Sequence, residues 1–405
     1  MPSDNLTPAP ERRAAFLVLF FLSTIGSLFY VVPLSSFISS IVSPVATMDL
    51  VSRDFANYWA GGHSLLDGSY GNLFHQDVYY AKLKSVFGDE YPLHNWSYPP
   101  HLLLFLWPLG LLDYTTALLL FMAAGIALFV FAVVVFQRKS GETSTSVAVI
   151  ASAIPFSMMA FAAAQNGFFT AALLLLGFSL AGTRSWLAAV AFAMLTVKPQ
   201  LGLLIPLWMA FERNWGLIGK TALLSLVLVA ASALLLGVEV WTDYLTSTLQ
   251  YQTFVMSSWY GVFLSMMPTV FGAIRTLEYS ADLAYLLQWP VSLLSLGLVV
   301  FLLIRSKREI TRIYAICAGT LLVSPYAFNY DMGAIAIVAA VLVGSRQIPL
   351  GRFSRLTVAA VAALPALVLL FGVLDAPISP LLLLLSLALL IQDTRVLNRD
   401  EESPD

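Results

Sequence analysis

Charge is what this sequence has least of. Of its 405 residues, 11% are Asp, Glu, Lys or Arg and 59% are hydrophobic, with a mean hydropathy of +0.83. A soluble chain carries about 25% charged residues, so water is excluded as the solvent for most of this surface and lipid fits it. A basic excess is missing as well. The formal net charge is −2, which argues against the positive face that nucleic acid requires. Cys317 is the single cysteine, so no intrachain disulfide can form. We find no Gly-rich phosphate loop, no Ser/His/Asp nucleophile pattern, no internal repeat and no inverted pair of broken spans. His63, His75 and His94 lack the tight spacing of zinc ligands.

What is present is a succession of apolar runs. A helix of roughly 20 residues crosses a hydrocarbon core of about 30 Å. On that measure the candidate spans are 14–36, 114–136, 146–163, 167–182, 186–197, 200–211, 216–237, 284–304, 310–323, 331–345, 355–372 and 378–392. The first run, Ala14 to Ile41, is too long for a signal-peptide core and reads as an uncleaved span. The stretch 100–112 is apolar but short and reads as a dip into the membrane continuous with the next span. With the N-terminus inside, Arg53, Lys82, Lys84, Lys198 and Arg275 fall outside, 5 of the 21 Lys and Arg residues, as the positive-inside rule asks. The expected fold is an all-α polytopic membrane protein, a bundle of about 12 transmembrane helices forming a single membrane domain over 14–392. Residues 1–13 and 393–405 are cytoplasmic tails, and two exoplasmic loops run over about 43–99 and 239–283. In the first loop, 54–66 and 75–87 read as amphipathic helices suited to the membrane surface. The second, rich in Trp, Tyr, Phe and Met, reads as an interfacial wall touching lipid chains.

This topology brings scattered polar residues to the exoplasmic ends of the spans: Asp54, Tyr98-Pro99-Pro100-His101, Gln165-Asn166-Gly167, Lys198-Pro199-Gln200 and the stretch Ser324–Asp331. They meet only if the bundle opens a cavity on that side. Asp54 is a carboxylate able to take a proton from an attacking hydroxyl; equally, Ser52 or Asp54 is a natural helix N-cap. His101 is either a donor to a phosphate or hydroxyl or an ordinary interfacial histidine. A lysine within a span costs about 2.5–3.5 kcal/mol and usually faces a pathway or partner. Lys198, at a proline-broken helix end, can hold a phosphate as a point charge, or snorkel to the interface. Gln165, Asn166, Asn329 and Asp331 suit sugar hydroxyls or helix caps and interhelical hydrogen bonds.

The motifs together resemble a known family. Asp54-Phe55, Tyr58-Trp59-Ala60-Gly61, Leu65-Leu66-Asp67-Gly68, Tyr98-Pro99-Pro100 and Trp107-Pro108-Leu109 are similar to the opening of glycosyltransferase family 87. Gln165-Asn166-Gly167, Lys198-Pro199-Gln200-Leu201-Gly202 and Ser324-Pro325-Tyr326 follow in the family's order. The resemblance covers about 14–345 and implies a GT-C-type fold. It also implies a polyprenyl-phosphate-mannose-dependent type of activity: transfer of mannose or another hexose to a lipid or glycan hydroxyl at the exoplasmic face of the plasma membrane, with inversion. The family's catalytic aspartate matches Asp54. Donor contacts fall to Lys198, His101, Gln200, Asn329 and Asp331, and acceptor contacts to Tyr58, Trp59, Gln165 and Asn166. No cofactor is required, a divalent cation is compatible, and membrane lipids are the remaining partners. One departure is that family members often carry histidine after Ser-Pro, where this chain reads Tyr326-Ala327-Phe328-Asn329-Tyr330-Asp331. The rival reading is a multi-pass transporter or lipid flippase, which usually shows paired halves with charges near the midplane.

Overall fold

The computed structural model describes residues 9–42, 53–141 and 145–402. Outside the described residues lie 1–8 and 403–405 of the two tails, the turn 142–144, and 43–52 of the first loop with Asp49 and Ser52. Among the described residues every regular element is helical. The chain opens with α1 (Ala9–Val42), followed by α2 (Phe55–Leu66), a 3-10 turn (Tyr70–Phe74), α3 (Gln76–Phe87), a 3-10 turn (Pro100–Leu102) and α4 (Leu103–Gly110). Next come α5 (Tyr114–Ser140), α6 (Ser146–Ala163), α7 (Gly167–Leu180) and α8 (Ser185–Met194). Two 3-10 turns (Leu195–Val197 and Pro199–Gly202) lead to α9 (Ile205–Phe211) and α10 (Trp215–Leu236). The second loop holds α11 (Glu239–Asp243), a π-helical turn (Tyr244–Thr248), α12 (Leu249–Ser258), α13 (Val262–Ser265) and α14 (Val270–Thr276). Then follow α15 (Ala281–Arg305), α16 (Glu309–Val323), α17 (Gly333–Gly344), α18 (Arg352–Ala363), a 3-10 turn (Leu364–Ala366), α19 (Val368–Val373) and α20 (Ser379–Glu402).

Five stretches, Pro10–Val42, Tyr114–Ser140, Ser146–Ala163, Trp215–Leu236 and Ala281–Arg305, are helices long and apolar enough to cross a membrane. The other expected spans are helical but shorter or in pieces, so length and composition show five candidate crossings and do not show twelve. Each break has a local cause. Pro199 interrupts the run after Lys198, and Pro365 interrupts the one between α18 and α19. The dip does not run on into α5: Asp113 accepts a hydrogen bond from the Thr116 N–H at 3.0 Å and starts a new helix.

At the centre stands α17, buried at every one of its 12 positions, as expected of a helix apolar all round. It is flanked by α6, α7, α16 and α18. The first loop is not laid on a surface as expected. Most of α2 is buried, including Phe55, Asn57, Tyr58 and Ser64. The reason is a backbone contact: a Cβ on Gly62 would lie 2.3 Å from the Leu106 carbonyl oxygen, and one on Gly110 would lie 2.4 Å from the Gly62 carbonyl carbon. Only glycines allow α2 to pack this closely on α4. By contrast, α3 buries only Tyr79 and Leu83, four residues apart, the stripe of an amphipathic helix. Lys82 ties it to the turn after α2, donating to Ser64 Oγ (2.9 Å), Asp67 Oδ2 (2.8 Å) and Ser69 Oγ. The second loop is anchored by Arg275, 1% exposed, whose guanidinium donates to the carbonyls of Tyr279 (2.8 Å), Ser257 (3.0 Å) and Trp259 (3.1 Å).

Candidate active site

Between the two loops and the N-terminal end of α17 lies a cavity of about 380 Å³. Five of the expected residues line it: Asp54, Gln165, Lys198, Gln200 and Asp331. Asp54 stands at the start of α2 yet makes no side-chain capping bond, so the capping reading of this residue does not hold. Its Oδ1 lies 3.9 Å from His94 Nε2. Burial pushes the His94 imidazole below its ordinary value, against the upward pull of the Asp54 carboxylate.

Lys198 does not snorkel. Its ammonium donates to Asp331 Oδ1 at 2.6 Å, with the two side chains 7% and 0% exposed, and lies 4.6 Å from the centre of the Tyr330 ring. Asp331 also accepts from the Phe328 N–H at 3.2 Å and precedes α17, where the helix dipole favours a negative charge. Lys198 therefore enters the cavity already neutralised, and Asp331 is placed to orient it rather than to meet an anionic donor.

Tyr58 and Gln165 form the partition behind this cavity. The Tyr58 hydroxyl donates to Gln165 Oε1 and shares a hydrogen bond of 2.6 Å with the Tyr98 hydroxyl. Burial holds both phenols well above their ordinary range, so they remain proton donors. Three expected contacts point elsewhere. Trp59 donates to the Leu112 carbonyl at 2.9 Å and stacks on His63. His101 meets Thr196 Oγ1 at 3.1 Å and stacks on Trp241. Asn329 donates to the Tyr30 hydroxyl at 3.3 Å. Trp59 and Asn329 spend their side-chain donors on neighbours away from the cavity, and His101 pairs Nε2 with Thr196 while its buried Nδ1 has no partner. Asn166 faces a separate groove.

Tyr98, Tyr326 and Tyr330 line the cavity from the motifs expected to meet there, though no role was given to them, and His94, Gln252, Trp259 and Phe263 line it without having been expected as site residues. The aromatic density of the second loop was the available signal for Trp259 and Phe263, although those side chains cover the cavity. Nothing in spacing marks His94, which reaches Asp54 only through the packing of the loop. Among the described residues no group of three or more His, Cys, Asp and Glu is placed to hold a metal ion.

The model of glycosyltransferase family 87 matches residues 96–325, more than half of the chain. The matched segment contains Tyr98, Gln165 and Lys198, while Asp54 and Asp331 lie on either side of it. A search of curated proteins and a search of solved structures each found no match.

Proposed function

Because the chain belongs to glycosyltransferase family 87, we propose that its donor is a polyprenyl-phosphate hexose and its acceptor a lipid or glycan hydroxyl, joined at the exoplasmic face with inversion. The carrying observation is that the uncapped Asp54 carboxylate and the Lys198 ammonium open on one cavity. In this reading Asp54 accepts the proton of the acceptor hydroxyl as its oxygen attacks the anomeric carbon. The bond from that carbon to the phosphate oxygen breaks, and polyprenyl phosphate leaves with the electron pair. Lys198, steadied by Asp331, donates to the departing phosphate through its remaining N–H groups. Gln165 and Gln200 supply donors and acceptors for sugar hydroxyls. Tyr326, Tyr330 and Trp259 offer faces for the apolar side of the ring.

The same proposal includes the topology: one membrane domain over 14–392, about twelve crossings, both termini cytoplasmic, in the plasma membrane. The test is Asp54→Asn in the purified full-length protein, assayed with a panel of polyprenyl-phosphate sugars. Transfer is expected to vanish while the unfolding profile stays that of the parent. Full activity in this variant removes Asp54 from the mechanism.

A further inference from the structure

A cavity of about 320 Å³ lies at the end of the bundle away from Asp54 and Lys198. The central helix α17 separates the two regions. Asp331 precedes that helix at one end, and Val341, in its last turn, lines this cavity at the other. The walls come from the last turn of α5, the end of α7, the start of α16 and the stretch after α17. Phe136, Phe178, Ile313 and Val341 form an apolar floor, each at most 3% exposed. The rest of the lining is charged: Lys139, Lys307 and Arg308 are basic, and Glu309 is acidic.

The one acid is already engaged. Glu309 Oε1 accepts from Lys139 Nζ at 2.7 Å, and Glu212, after α9, is held by Arg312 at 2.8 Å. Arg308 is exposed and, among the described residues, engages its neighbours through its backbone alone, its N–H donating to Ser306 Oγ at 3.3 Å. A guanidinium presents its N–H groups as a planar fork that fits two phosphate oxygens at once. A bare inorganic ion would meet the basic residues yet leave the floor against water, whereas the carbon substituent of a phosphate ester covers it. The volume sits near the lower end of small-ligand sites, about 300 Å³, which admits a head group and excludes a macromolecule. Depth favours a lipid as the source. Helix α5 ends at Ser140 and α15 at Arg305, and both are long and apolar enough to cross a membrane. Lys139 and Lys307 therefore stand where these helices leave the hydrocarbon, the level at which basic pockets between spans take anionic head groups. We infer that this cavity binds the phosphate ester of an anionic phospholipid head group, with Arg308 on the phosphate and the apolar floor under the glycerol carbons. Neither the donor nor the acceptor proposed above enters this site.

The experiment titrates the full-length protein in detergent micelles with dioleoyl phosphatidylglycerol and counts retained lipid by native mass spectrometry, with dioleoyl phosphatidylcholine as the zwitterionic control. One phosphatidylglycerol per chain is expected to stay bound where phosphatidylcholine does not. Arg308→Gln should weaken its binding about fivefold, which is what one basic residue near a membrane surface contributes. Ile310→Trp, which crowds the cavity from its lining, should weaken it as well. Arg352→Gln removes an exposed charge at the same end of the bundle but outside the cavity, and should leave binding unchanged. Equal weakening by Arg308→Gln and Arg352→Gln overturns the inference, because diffuse attraction to the basic end then explains the lipid. Equal retention of phosphatidylcholine overturns it too, as does an Arg308→Gln protein that binds like the parent. Glycerol 1-phosphate serves as the soluble probe: if it binds through Arg308 while no lipid is retained, the lipid source is overturned in favour of a soluble ester.

Discussion

Lys198 and Asp331 form a buried ion pair. Removing one member of a buried pair strands the other at a cost of about 3–5 kcal/mol. With side chains 7% and 0% exposed and 2.6 Å between their charged atoms, Lys198→Met should lower unfolding stability in detergent by about 3 kcal/mol. It should also raise the KM for the lipid donor more than that for the acceptor. Pairing Lys198→Met with Asp331→Leu should restore stability without restoring donor use. A double variant as unstable as the single one shows that the pair is not the cause. The two residues stood out in the sequence because charge at a broken membrane helix is costly. That they neutralise each other, 133 positions apart, was not legible, since nothing local links them.

The element that sets the site is α2. Its close contact with α4 through Gly62 and Gly110 holds Asp54 at the cavity and Tyr58 against Gln165. Gly62→Ala forces the backbones apart, because its new Cβ would sit 2.3 Å from the Leu106 carbonyl oxygen. We expect a loss of about 1–3 kcal/mol, typical of overpacking, and at least a tenfold loss of sugar transfer. Gly216 in α10 meets nothing within 4 Å, so Gly216→Ala should leave transfer unchanged and stability equal or slightly higher. Parallel rate and unfolding measurements on both variants decide the matter; an active Gly62→Ala protein means that α2 is not held by this contact. The adjacent Gly61 and Gly62 permit a close backbone approach without saying to what; the partner on α4 came from tertiary packing.

Across the whole molecule, polar contacts gather at two ends of the bundle. At one end Lys139 pairs with Glu309 (2.7 Å), Arg312 with Glu212 (2.8 Å), Arg355 donates to the Val343 carbonyl (2.7 Å), and Asp393 accepts from the Gly351 N–H (3.1 Å). The other end holds Asp54, His94, Lys198 and Asp331. This segregation is what the proposed topology requires. Cysteines placed at the exposed positions Asp89 and Arg308 should react with a membrane-impermeant maleimide from opposite sides of oriented vesicles, while buried Cys317 stays unlabelled. Labelling of both from one side removes the topology and leaves the helical fold. The all-helical class and the positions of the helices followed from composition and hydropathy, because lipid obliges each segment to satisfy its backbone internally. So did the candidacy of Asp54, Gln165, Lys198, Gln200 and Asp331, since polar groups in an apolar chain are costly and therefore conspicuous. Which of them share a cavity, which turn away as His101, Asn329 and Trp59 do, and that His94 faces Asp54, only the tertiary structure decided. Those outcomes depend on contacts between residues distant in the chain, and hydropathy along the chain carries no record of such contacts.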